Sequence, residues 1–151
     1  MSKPLDVALS SEIAKRINSK TPDYFDNAYQ AAILTEGAMY VQGFLTYAGR
    51  PEGPIEYSWI ALEDCLVDPT LPHLNKNAQE LHYFAAQRLT IKQLKAAVEE
   101  ASEVYPEDPP LPVYGEPPYE YYGDIMLGGR DYQDAYQAAE TRCRELNQPQ
   151  T

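Results

Sequence analysis

Basic side chains are scarce in this sequence: 12 Lys and Arg stand against 23 Asp and Glu, for a net charge of −11. The acid excess runs through both halves and is not confined to a tail. Phosphate contacts need clustered Lys and Arg, so direct nucleic-acid binding is disfavoured and a basic protein partner is favoured. Cysteine is scarce too. Cys65 and Cys143 make no CxxC pair and no disulfide framework, which suits a reducing cytoplasm, and both are expected to be buried thiols. His73 and His82 are too few for a zinc site unless Cys65 and a carboxylate join them. No pair of these residues has metal-ligand spacing, so neither metal nor cofactor is expected. No apolar run approaches about 18 residues, and Met-Ser-Lys-Pro-Leu-Asp at the start opens no signal-peptide core. These absences predict a cytoplasmic protein that does not enter a membrane.

What is present suits one folded domain over residues 1–151: hydrophobic residues make up 44% and charged residues 23%, ordinary globular usage. Tyrosine occurs 13 times against 3 Phe, and proline also 13 times. Leu5, Leu9, Ile13 and Ile17 recur at fourfold spacing and predict a helix over 5–18. Thr21 as N-cap with Pro22 at the first helical position predicts a second helix over 22–35, ended by Gly37. From Met39 to Tyr47 the period is two, giving a strand; Ile55 to Leu62 gives another, and the turn at Glu63-Asp64 leads to a short third at 65–67. Residues 80–88 fit a strand and would also tolerate a helix. Thr90 with Gln93 is a capping-box pair that starts a third helix. Asp131 is expected to cap a last helix to Leu146, with Gly128-Gly129 as the turn before it.

Four pieces in order carry a resemblance: Tyr24-Phe25-Asp26-Asn27-Ala28 on a helix, Tyr40-Val41-Gln42-Gly43 and Tyr57-Ser58-Trp59 on strands, then Asp68-Pro69-Thr70. Their order and spacing over roughly 22–90 resemble the core of transglutaminase-like, papain-fold cysteine enzymes of bacteria and phages. That resemblance implies an α+β fold, with a small antiparallel sheet of three to five strands and about four helices packed on it. It also implies a thiolate at a helix N-terminus, a His to move its proton and an acid to orient the imidazole. Carried over, the nucleophile falls at Tyr24, the base at Tyr57 and the acid at Asp68. A phenol near pKa 10 replaces neither thiolate nor imidazole at neutral pH. The expectation is a degenerate, non-catalytic site in which Tyr24, Asn27, Tyr57, Trp59 and Asp68 bind a ligand or hold structure. The same residues also read as an ordinary turn, strand and helix start. A Cys-His-Asp arrangement of Cys65 with His73 or His82 and Asp68 is the alternative, a cysteine hydrolase, although Cys65 falls in a strand and not at a helix N-terminus.

The second feature is the acidic Pro/Tyr-rich segment 104–129, where regular helix is excluded by its prolines and no Lys or Arg occurs. Tyrosine offers a large rigid surface with a polar tip, so Tyr114, Tyr119, Tyr121 and Tyr122, with Glu116, Glu120 and Asp124, are candidates to dock a basic protein. The composition is equally that of a surface loop whose tyrosines stack on its prolines. An acidic binding or inhibitory protein is therefore the leading functional expectation. A structural subunit that self-associates or joins an assembly is a further one.

Overall fold

The structure is a computed structural model and describes residues 3–113, 119–122 and 125–148. The fold is α+β. Helices α1 (Val7–Ile17) and α2 (Tyr24–Leu34) precede strands β1 (Met39–Thr46), β2 (Ile55–Ala61) and β3 (Leu66–Val67). Strand β4 (His82–Leu89) leads into α3 (Ile91–Val104), and β5 (Tyr119–Tyr122) and β6 (Ile125–Gly128) lead into α4 (Gly129–Leu146). The main sheet has four antiparallel strands in the order β3-β2-β1-β4, with β5 and β6 forming a separate antiparallel hairpin.

Local chemistry sets most boundaries. Asp6 caps α1, its side chain accepting from Leu9 N at 2.9 Å, and Asn18 ends the helix in the left-handed region at φ 53°. Leu5, expected inside that helix, instead pairs with Leu66: Leu66 N donates to Pro4 O and Asp6 N to Leu66 O. The expected Thr21-Pro22 start of α2 is displaced to Asp23, because the first intrahelical bond runs from Asn27 N to Asp23 O. The turn at Glu63-Asp64 forms as expected, closed by Leu62 N on Cys65 O, and sets the register Ile60 opposite Val67. Both halves of the capping box at Thr90 and Gln93 are in place. In the segment whose prolines exclude regular helix, 119–122 are extended and pair with 125–128. Helix α4 begins at Gly129, not after Asp131, because Gly129 adopts a φ of 75° that few other residues tolerate and turns the strand into the helix.

The chain divides into two compact units. In the unit comprising Met1–Gln42, Ser58–Asn75 and Arg88–Val113, Ile13 of α1, Ala28, Ala31 and Ala32 of α2 and Leu94 of α3 pack with Tyr40, Ile60 and Val67. The alanine face of α2 permits close approach, and each larger side chain buried there stabilises by about 1.5–3 kcal/mol. In the unit comprising Gly43–Tyr57, Lys76–Gln87 and Tyr114–Thr151, Phe44 meets Tyr132 and Tyr136 of α4 edge to face, with ring centroids at 6.3 and 5.3 Å. Asn147 fastens the end of α4, its Oδ1 accepting from Gly49 N at 2.7 Å and its Nδ2 donating to Cys143 O at 2.8 Å.

Candidate functional site

The first turn of α2 and the Asp68-Pro69-Thr70 turn meet through one buried side chain. Asn27 lies on the inward face of α2 with Ala28, Ala31 and Ala32. Its Oδ1 accepts from Lys20 N at 3.1 Å, and its Nδ2 donates to Lys20 O at 2.7 Å and to Thr70 Oγ1 at 2.9 Å. The carboxamide therefore reads the Lys20 backbone as a paired strand would, with one donor hydrogen on Lys20 O and the other on Thr70 Oγ1. Asp68 is fully buried. Its Oδ1 accepts from Thr70 N at 2.9 Å, closing an Asx turn, and its own N–H donates to Ser10 Oγ, whose hydroxyl donates to Asp6 O. Asn27 and Asp68 are thus brought together through Thr70, in a network that also takes in Ser10. Ser10 was not apparent from the sequence, and Thr70 only as part of the turn; their fully buried hydroxyls become meaningful only once α1 and the turn are side by side.

Tyr24 is the first residue of α2 and is half-buried. Trp59 is buried on β2. Tyr57, on the same strand, is also fully buried, with its ring 6.3 Å from that of Tyr83. Of the candidate docking residues, Tyr119, Glu120, Tyr121 and Tyr122 form β5, while Tyr114, Glu116 and Asp124 lie outside the described residues.

Beside Tyr24 is a cleft of about 290 Å³. The start of α2 supplies Tyr24 and Phe25, with Asp23 and Asp26 exposed beside them, and the stretch after α3 supplies Pro109, Pro110 and Leu111. A second, polar cleft of about 310 Å³ shares Asp23 and Asp26 and includes Lys20 and Asn27. The wall at 109–111 is held by a buried glutamine: Gln42 Oε1 accepts from Val113 N at 2.9 Å and from Tyr40 OH at 2.7 Å, and its Nε2 donates to Val113 O.

Cys65 is half-buried, not buried as expected, because it precedes β3 in the turn and does not lie within the strand. Burial pushes its thiol above the usual value of 9.0, the Asp6 and Asp64 carboxylates push it further, and Lys3 opposes them. His73 Nε2 sits 3.0 Å from Ser19 O and 3.1 Å from Ser19 Oγ, and no hydrogen bond among the described residues joins Cys65 to a histidine. Burial and Arg142 lower the pKa of His82. At pH 7.5 iodoacetamide should label Cys65 more slowly than free N-acetylcysteine, with the rate still rising above pH 9, because only the thiolate reacts. Rapid labelling at neutral pH, read by mass spectrometry, would contradict this.

Among the described residues no three His, Cys, Asp or Glu side chains converge as metal ligands would, and no helix is long and apolar enough to cross a membrane. No protein-family model, curated protein or solved structure matches the chain.

Proposed function

We propose that this is a non-catalytic acidic binding or inhibitory protein, built on a degenerate cysteine-enzyme fold of the bacterial and phage kind, that engages a basic or nucleic-acid-binding protein in the cytoplasm. The observation that carries this reading is how the positions of the lost chemistry are used. Asn27 and Asp68 are spent on internal hydrogen bonds, and Tyr57, standing where the resemblance puts the base, is fully buried. The hydrolase alternative is disfavoured because no hydrogen bond among the described residues joins Cys65 to a histidine, and burial and nearby carboxylates push its thiol up rather than down. The net charge of −11 supplies long-range attraction for a basic partner, and the Tyr/Pro segment supplies contact area. Residues 119–122 present that segment as a strand.

The test is capture from a host lysate on the immobilised protein, with partners identified by mass spectrometry. A basic protein should be retained stoichiometrically and released by raised salt. Tyr121→Ala with Tyr122→Ala should weaken its capture while the circular dichroism spectrum is kept. Retention of no basic protein would defeat the reading, and undiminished capture by the double variant would remove the Tyr/Pro segment from it.

A further inference from the structure

The cleft beside Tyr24 combines three properties that together specify an occupant. Its walls are apolar and flat: Tyr24, Phe25, Pro110 and Leu111 are half-buried there, and prolines expose no N–H of their own. Two exposed carboxylates, Asp23 and Asp26, stand among them, and among the described residues neither is in a salt bridge. Asp23 occupies the N-cap of α2, yet its side chain accepts no capping bond, so its carboxylate is not consumed by the helix. The remaining property is size. About 290 Å³ falls just below the range of roughly 300–1,000 Å³ typical of small-molecule sites, enough for one long side chain.

We infer that this cleft receives an arginine side chain of a protein partner. The aliphatic stem lies against Pro110 and Leu111, the guanidinium plane stacks on Tyr24 or Phe25, and its N–H groups donate to Asp23 and Asp26. Arginine is favoured over lysine because its planar cation both stacks on aromatic rings and bonds carboxylates two at a time. The dipole at the start of α2 favours anions, and the two aspartates already answer it, leaving net negative charge toward the cleft. Lys20, the cation of the neighbouring cleft, shares Asp23 and Asp26 but does not line this one. The assignment rests on the proposed basic partner and names the feature of it that is read.

The probe is a fluorescein-labelled Gly/Ser nonapeptide carrying three arginines, titrated by anisotropy in dilute buffer, beside the same peptide with lysine or citrulline. Wild type should bind the arginine peptide most tightly and the citrulline peptide about tenfold or more weakly. Asp23→Asn with Asp26→Asn should lose about tenfold, whereas Glu99→Gln with Glu103→Gln, removing equal charge from α3, should change affinity less than about twofold. Asp23→Lys, at an exposed residue whose side chain makes no capping bond, gives the same test should the double variant unfold. Equal losses from both double variants, or equal affinity for arginine and lysine peptides, would overturn the cleft and leave the basic-partner reading standing. So would the absence of peptide binding by a protein that still captures a basic partner. If neither peptide nor partner binds, both readings fall.

Discussion

Replacing Gly43 with alanine is expected to cost about 3 kcal/mol or more, at or beyond the upper end for overpacking a well-filled site. A Cβ there would lie 2.0 Å from Phe84 O and 2.9 Å from Ala86 N, both main-chain atoms of β4. A flexible side chain could swing away from such a methyl. A paired strand cannot, so β1 and β4 would have to part beside Phe44, whose ring meets those of Tyr132 and Tyr136 edge to face. At about 2–4 °C per kcal/mol for a chain of this size, the melting temperature should fall by about 6–12 °C or more. A variant melting with the wild type would show that β4 does not press on this position. The glycine of Tyr40-Val41-Gln42-Gly43, noticed first as one piece of a resemblance, thus has a steric reason of its own.

Gln42→Leu is expected to cost about 3 kcal/mol, with a local signature. Its side chain bonds both polar groups of the Val113 peptide and accepts from Tyr40 OH. Withdrawing a buried partner costs about 1–3 kcal/mol for each group affected, and a leucine of similar size limits any further loss from a cavity. Hydrogen exchange in peptides covering 105–113 should accelerate more than in α1 or α2, because that stretch is tied to β1 through this carboxamide. Uniform acceleration, or none, would contradict that role. Since 109–111 form one wall of the cleft, the same variant should weaken arginine-peptide binding although Gln42 does not line it.

Local signals were legible in proportion to how local the physics is. The capping box at Thr90 and the turn at Glu63-Asp64 depend on neighbours within a few residues, and the sequence pattern located both. His82–Leu89 has no clean alternation, so its helix-or-strand ambiguity was settled only by pairing beside β1. The partner of Tyr119–Tyr122 was missed because Ile125–Gly128 is too short to show a period, and the adjoining glycines read as a turn alone. In the candidate site, Asn27 and the Asp68 turn were visible only as pieces of the family resemblance. Asp23, Asp26 and the Pro109–Leu111 wall were not singled out. What gives them meaning is the approach of two segments far apart in the chain, and no periodicity encodes it.

The short pairing of the chain start with Leu66 bears on self-association. Strand β3 is an end strand of the main sheet, where free main-chain groups recruit further strands. At Leu66 both groups are already taken, the N–H by Pro4 O and the carbonyl by Asp6 N. Asp6 then turns the path directly into α1, which ends the pairing on that side. Further strand pairing at Leu66 is thereby blocked by main-chain occupancy rather than by charge.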